Sequence, residues 1–344
     1  MVERGRAVTL KDVAQQVGIT PAAVSMALSG SARISKATTE RVRAAADELG
    51  YVPSSAGRAL RSSRSGTIAL IVPNSSQHVF GHSYFMHVLT GVTSIANEHD
   101  VQVLVSTSRS EADGLTAYER VLRSRSADGA VVTSAAIADP EIERLTARGI
   151  PVVLIGNYPE LPAATSVGVD DVRASRDATD HLIAVHGRRR LVHVTGPLDH
   201  RTAVDRREGF LHAVHAAGIE SESLVVEGDF SEAAGAAAVD EADGGRSFDG
   251  IVFANDDMAF GGVERLRDLE LRVPEDIAVI GFDDFGVARL AGLSTVHVPA
   301  DAMAAAAARL LLELVGGAVA APTRDTFAVE LVLRDSCGCR RRHP

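Results

Sequence analysis

From Thr9 to Gly30 the chain reads Thr-Leu-Lys-Asp-Val-Ala-Gln-Gln-Val-Gly-Ile-Thr-Pro-Ala-Ala-Val-Ser-Met-Ala-Leu-Ser-Gly, and the spacing of its apolar residues narrows what it can become. Leu10, Val13, Ala14 and Val17 fall at i, i+3, i+4 and i+7, one face of a short helix that Gly18 ends. Thr20 is a good N-cap and Pro21 suits the first helical position, while Val24, Ala27 and Leu28 supply the buried stripe of a second helix. Two short helices joined by a tight glycine-containing turn predict a helix-turn-helix, whose second helix is the part that fits a major groove. A third helix should follow, capped by Ser35, with Val42, Ala45, Ala46 and Leu49 on one face and a stop at Gly50. Pro53 then breaks the chain. The residues after the available cap Ser54 have helical character but fall short of the ~12–15 that an isolated helix needs in water, so this stretch is expected to stay disordered until something holds it.

The net charge of −10 argues at first sight against a nucleic-acid partner. Counted by segment the picture reverses. Residues 1–65 hold ten Lys and Arg against five acids, so the head is +5 and the remainder −15, the footprint of a basic reader on an acidic body. A length of 344 residues with 46% hydrophobic side chains allows two or three domains with ample cores. The first residues contain no apolar secretory core and no run is long enough to span a bilayer, so a cytoplasmic protein is expected. Cys337 and Cys339 are the two cysteines; without further cysteines a Cys-x-Cys pair is a weak ligand set, and neither a metal nor a cofactor is expected.

From Gly66 the texture becomes alternating strand and helix. Apolar runs at 68–72, 101–105, 129–133, 151–155, 191–195, 224–227, 250–253 and 277–281 read as buried parallel strands, separated by helical periodicity such as that over 83–99. The fold class is therefore an all-α head, a linker of helical character and an α/β body of doubly wound sheets in two lobes. Domains are expected at 1–52 (head), 53–65 (linker), 66–336 (two-lobed body) and 337–344 (tail), with lobe 1 over about 66–160 and 293–318 and lobe 2 over about 161–290 and 322–336. The breaks at Tyr158-Pro-Glu-Leu-Pro162, near 286–294 and near 316–322 would be the three crossings between lobes.

Thr9-Leu10-x-Asp12-Val13-Ala14, Gly18-Ile19-Thr20, Val24-Ser25 and Leu28-Ser29-Gly30 resemble the DNA-reading headpiece of the LacI/GalR family of transcription regulators. In the body, Val169-Asp170-Asp171, Gly187-Arg188-Arg189-Arg190, Arg206-Arg-Glu-Gly209-Phe210, Ala254-Asn255-Asp256, Gly261, Gly281-Phe282-Asp283-Asp284 and Ser294-Thr-Val296 stand in the order of that family's periplasmic-binding-protein-like effector domain. The likeness runs from residue 9 to about 336. It implies a dimer on a near-palindromic DNA operator, with Thr9, Leu10, Thr20, Pro21, Ala22, Ser25, Met26, Ser29, Arg33, Thr38 and Tyr51 at or near the duplex. It also implies that the stretch holding Ser54, Gly57 and Leu60 is a hinge helix folding in the minor groove, with Leu60 as the wedge that kinks the central step. Ser54 and Gly57 depart from the family's usual Asn and Ala, and the glycine should make this hinge harder to order. Pro21, Ala22 and Met26 can sense only thymine methyls and shape, so much of the specificity is expected from Arg33, backbone contacts and deformability. No leucine heptad follows residue 334, which implies a dimer without the tetramer-forming tail of some relatives.

Open α/β sheets bind ligands at the C-terminal ends of their strands. Asn255 and Asp283 follow strands and Arg206 lies at a helix start, and such groups suit a polyhydroxylated effector, a sugar before a nucleoside. By family match Tyr84 and Phe85 add an aromatic pair, and Asn157, Asp170 and Arg109 are weaker candidates that also follow strands. Two rival readings remain. A solute-binding protein without a DNA role would share the lobes, against which stand the absent leader and the basic head. An enzyme would need chemistry from the pairs Asp256/Asp257 and Asp283/Asp284, yet no nucleophile-base pair accompanies them and strand-end Asp is commonly a helix cap. His212 and His215 lie three apart on a helix with no third metal ligand at a suitable spacing.

Overall fold

The structure is a computed structural model and describes residues 8–51, 64–75, 81–108, 116–243, 247–317 and 322–339. The chain divides into two compact units, Met1–Gly66 and Thr67–Pro344.

The first unit is built on three helices, α1 (Leu10–Val17), α2 (Pro21–Leu28) and α3 (Lys36–Leu49), which meet the expected bounds. Each begins on a side-chain cap. The Asp12 carboxylate accepts from both the backbone N–H and the hydroxyl of Thr9 at 2.7 Å; Thr20 Oγ1 accepts from the Ala23 N–H at 3.2 Å, and Ser35 Oγ from the Thr38 N–H at 3.2 Å. Gly18 and Gly50 end α1 and α3 in the left-handed conformation, at φ 75° and 65°. Val13, Ala14, Val17, Val24, Ala27, Val42, Ala45 and Ala46 form the core that none of these short helices could bury alone. The Arg41 guanidinium donates to the Val17 carbonyl at 3.0 Å and ties α3 to the end of α1.

The second unit holds two six-stranded sheets. The first contains β1 (Thr67–Ser75), β2 (Gln102–Ser108), β3 (Ala130–Thr133), β4 (Val152–Ile155), β5 (Thr165–Val169) and β11 (Arg324–Phe327), in the order β11-β5-β4-β3-β1-β2 and parallel throughout. The second contains β6 (Leu191–Thr195), β7 (Leu224–Glu227), β8 (Gly250–Phe253), β9 (Ala278–Asp283), β10 (Ser294–His297) and β12 (Glu330–Val332), in the order β12-β10-β9-β8-β6-β7, with β12 alone antiparallel. The two lobes thus repeat one strand order. Each reverses direction between its first and third strands, β1/β3 and β6/β8.

Helices α4 (Ser83–Glu98), α5 (Ala117–Ser124) and α6 (Pro140–Ala147) cover the first sheet, and α7 (Asp171–Ala184), α8 (Arg201–Ala216), α9 (Glu232–Asp243), α10 (Asp256–Asp268) and α11 (Gly286–Ala291) belong to the second lobe. Helix α12 (Ala300–Gly316) returns to the first lobe and packs on α4. Strand β1 shows why its sequence is continuously apolar: Ile68, Leu70 and Val72 join the core under α4 and α12, and Ala69 and Ile71 join the core under α5 and α6.

The expected crossings between lobes are corrected. Strand β5 belongs to the first sheet, so the chain passes to lobe 2 at Asp170 rather than at 158–162. Strand β10 belongs to the second sheet, which puts the return between His297 and Ala300 instead of near 286–294. The third passage lies between Phe327 of β11 and Glu330 of β12, later than 316–322. Each crossing follows a strand that the apolar runs did not reveal.

Candidate ligand cavity and nucleic-acid interface

Between the lobes of the second unit lies a cavity of about 970 Å³, mouth included. It opens at the two reversal points: Asn74 at the end of β1 and Ser134–Ala135 after β3 face Pro197 after β6 and Asn255 after β8. Three of its lining residues, Ser134, Phe230 and Asp283, hold left-handed backbone at φ 54°, 70° and 114°, a conformation that side-chain-bearing residues keep only where the surroundings impose it.

Arg206 organises the polar wall. It is 6% exposed, its guanidinium lies 3.6 Å over the Phe282 ring, and its Nε donates to Asp171 Oδ1 at 2.8 Å. A second nitrogen donates to the Ala254 carbonyl in a short bond and lies 3.6 Å from Asp283 Oδ1. Burial raises the Asp171 pKa against the pull of Arg206, and burial pushes Asp283 up to about 7, opposed by Arg206 and assisted by Asp257 and Asp171. Asp257 meets His82 Nδ1 at 3.0 Å across the cleft. Three carboxyl groups therefore share one guanidinium and one imidazole, and Asn74 Oδ1 is a buried acceptor without a hydrogen-bond partner among the described residues. A wall this rich in acceptors calls for a ligand rich in O–H donors.

Aromatic rings from both lobes also line the cavity. Tyr84 and Phe85 stand at the start of α4 in an edge-to-face pair with centroids 5.3 Å apart, and Tyr84 Oη and Thr133 Oγ1 share a hydrogen bond at 3.1 Å. Phe230 projects from lobe 2 over Gly196, where any side chain would collide with its ring. Asn255 holds that ring's backbone: its Nδ2 donates to the Phe230 carbonyl at 2.9 Å while its Oδ1 caps α10 by accepting from the Met258 N–H at 3.0 Å. Several further contacts bridge the lobes. Ala136 and His200 pair as an antiparallel bridge, Arg201 reaches Glu160 at 3.0 Å, and the His87 ring stacks on Phe285 at 4.2 Å.

Of the expected effector residues, Tyr84, Phe85, Arg206, Asn255 and Asp283 line the cavity together. Asn157 and Asp170 do not: both are exposed, and Asp170 is spent as the N-cap of α7, accepting from the Arg173 N–H at 3.0 Å. The neighbouring Asp171, the first helical residue, turns inward instead. Arg109 lies outside the described residues. Asp171, Asp257, His82, Phe230 and Arg201 were not among the expected effector residues; Asp171 stands in the quoted motif Val169-Asp170-Asp171 and Asp257 follows Ala254-Asn255-Asp256, whereas the others carry no local signal. The paired carboxylates separate. Asp256 is buried, accepting from the Thr295 hydroxyl and the Asp284 N–H at 2.7 Å, and Asp284 is paired with Arg334, so only Asp257 and Asp283 reach the cavity. His212 and His215 pair with Glu208 and Glu220 on an exposed face of α8.

In the first unit, Thr20, Pro21, Ala22 and Ser29 of the second helix and its ends are exposed, as are Thr9 and Arg33; Ser25, Met26 and Thr38 are half-buried. Leu10 and Tyr51 pack against the core from its edge. Ser54, Gly57 and Leu60 lie outside the described residues.

A helix-turn-helix head followed in one chain by a two-lobed ligand-binding body defines a ligand-responsive transcription regulator. Residues 9–54 match the family model of bacterial regulatory proteins, lacI family, and residues 179–337 match the periplasmic binding protein-like domain. The HTH-type transcriptional regulator CelR of Thermobifida fusca is 35% identical over 343 residues, covering 97% of this chain and 100% of the relative. The HTH-type transcriptional regulator GalS of Salmonella typhimurium is 33% identical, covering 97% and 98%. Among solved structures, a complex of the transcriptional regulator CelR with cellobiose matches with TM-score 0.73 and 33% identity over 96% of this chain and 99% of that one. The lac repressor dimer bound to operator and the anti-inducer ONPF shares the fold, with TM-score 0.84 and 24% identity over 96% and 99%. The chain belongs to the lacI family of HTH-type transcriptional regulators.

Proposed function

We propose that this regulator is a cytoplasmic, non-catalytic repressor that binds a near-palindromic operator as a dimer and is controlled by a carbohydrate held in the interlobe cavity. The observation that carries the ligand class is that the acceptors Asp171, Asp257, Asp283 and Asn74 line one cavity together with the Tyr84, Phe85 and Phe230 rings. Carboxylates accept pairs of sugar hydroxyls while the apolar face of a pyranose lies on an aromatic ring. The likeness to a regulator solved with cellobiose supports a carbohydrate of that kind. On the DNA side, Thr20, Pro21, Ala22, Ser25, Met26 and Ser29 enter the major groove, Thr9, Leu10, Thr38 and Tyr51 flank it, Arg33 adds specificity, and Leu60 with Ser54 and Gly57 supplies the minor-groove wedge. The ligand changes the relative orientation of the lobes, a coupling of typically ~1–3 kcal/mol between the two sites.

The test is selection of bound duplexes from a random pool by the purified chain, repeated with cellobiose and with monosaccharides. Enrichment of a palindrome with a flexible central step, altered by one sugar, is the expected outcome. Enrichment that no carbohydrate alters overturns the ligand class, and no enrichment at low salt overturns the operator reading.

A further inference from the structure

The cysteine pair that lacked partners in the sequence acquires two in the fold. Helix α7 presents His181 in its last turn, and His186 follows just beyond its end. The chain returns far later with Cys337, the last residue of a short 3-10 helix (Asp335–Cys337), and Cys339. One ligand atom from each of these four residues lies within 4.8 Å of all the others. The two histidine Nε2 atoms are 3.2 Å apart, and Cys339 Sγ is 3.4 Å from each. Around a tetrahedral zinc with Zn–S of ~2.3 Å and Zn–N of ~2.0–2.1 Å, neighbouring ligand atoms sit about 3.3–3.8 Å apart. The two histidines and Cys339 have close to these spacings, and Cys337 Sγ, which donates to the Arg334 carbonyl at 3.5 Å, lies within 4.8 Å of all three.

We propose that His181, His186, Cys337 and Cys339 form a four-ligand zinc site that fastens the C-terminal segment to helix α7. Two thiolates and two imidazoles in a tetrahedral arrangement select zinc among the common divalent ions, and the thiolate charges neutralise it. Four protein ligands leave no coordination position open, so the site is structural. Gly338 makes the chelate possible: its backbone is left-handed at φ 104°, and a Cβ there would stand 3.1 Å from the His186 ring. No other residue type fits between the two thiols without moving the imidazole. The histidines suit the task as well, since burial first, and then His186 for His181 and Arg188 for His186, hold both below the ordinary imidazole value and so neutral at pH 7. Burial and the neighbouring Cys337 push the Cys339 thiol up to about 11, so the incoming cation must displace its proton. The site joins the two ends of lobe 2: α7 opens the lobe after the first crossing, and the cysteines follow its last strand, β12.

The experiment uses the full chain. Zinc is measured by elemental analysis after purification without chelators, and the chelated protein is then titrated with cobalt(II). Stoichiometric zinc, and the intense visible absorption of tetrahedral thiolate-bound cobalt(II), are expected. Cys339→Ser and His186→Ala should lose both while keeping the circular dichroism spectrum. Chelation should lower the melting temperature of the parent but leave that of Cys339→Ser unmoved. The proposal fails if cobalt(II) gives no such bands, if the variants bind metal as the parent does, or if freshly purified protein carries a Cys337–Cys339 disulfide in place of zinc.

Discussion

Asp283 concentrates the chemistry of the cavity in one carboxyl group. With its pKa at about 7 in the folded chain and ~3.9 in an unfolded one, the native state holds a proton that the unfolded state has released over that interval. Its contribution to stability is therefore complete below about pH 4 and lost as the pH climbs through about 7; a melting series should show this component vanish in Asp283→Asn. A sugar that donates hydroxyls to the carboxylate favours the ionised form. Affinity should rise with pH through about 7 with release of a proton, read by calorimetry in buffers of different ionisation enthalpy. Asp283→Asn should abolish that step and weaken binding about 10- to 100-fold. Phe230→Ala tests the aromatic lining, where loss of the ring should weaken a pyranose by about 1 kcal/mol while leaving operator binding of the free protein unchanged. Residues of this kind were unevenly legible. Asn255 and Asp283 follow from strand ends and Arg206 from a helical segment, but Asp170 and Asp171 are indistinguishable until the start of α7 assigns one to the cap and the other to the interior. Phe230 stands in the loop between β7 and α9 and His82 at the N-cap of α4, positions that no local pattern marks as cavity-lining.

Helix contacts in both lobes depend on single glycines. Gly91 of α4 lies where a Cβ would stand 2.2 Å from the Asp301 carbonyl of α12, and Gly209 of α8 where it would stand 2.2 Å from the Val172 carbonyl of α7. Gly209→Ala must push the helices apart and should cost about 1–3 kcal/mol in a denaturant titration. In the head, Thr20→Ala removes the cap of α2 and should destabilise that unit by about 1 kcal/mol, with a matching loss of operator affinity. Elements that bury an apolar stripe or run were legible: the three head helices and eight strands from β1 to β9. The strands that escaped are β5, Thr-Ser-Val-Gly-Val, and β10, Ser-Thr-Val-His, which carry small and polar residues in buried places, together with the mostly polar edge strand β11 and the edge strand β12, which is only three residues long. Every crossing between lobes depends on one of these four, which is why all three were expected too early.

At the scale of the molecule, a +5 head precedes a −15 body, and the two parts should respond to different variables. Operator affinity should fall steeply with salt, by about 10³–10⁵ between about 50 and 200 mM if a dimer makes about six to ten phosphate contacts, whereas sugar affinity should hardly move. Removal of residues 1–66 should leave a body that binds the sugar with unchanged affinity and no longer shifts any duplex, as measured by calorimetry and gel mobility.

The last strand of each sheet is supplied by one short stretch: β11 and β12 are separated by only Ala328 and Val329. During synthesis the head can be complete once Gly50 has emerged, yet the first sheet lacks its outermost strand until Phe327 has been made and the second until Val332 has. A message truncated in between would release a protein whose head is complete but whose buried strands β5 and β10 have become exposed sheet edges, an invitation to aggregate. The order of the chain therefore completes the three-helix head long before it supplies the outermost strands of the body.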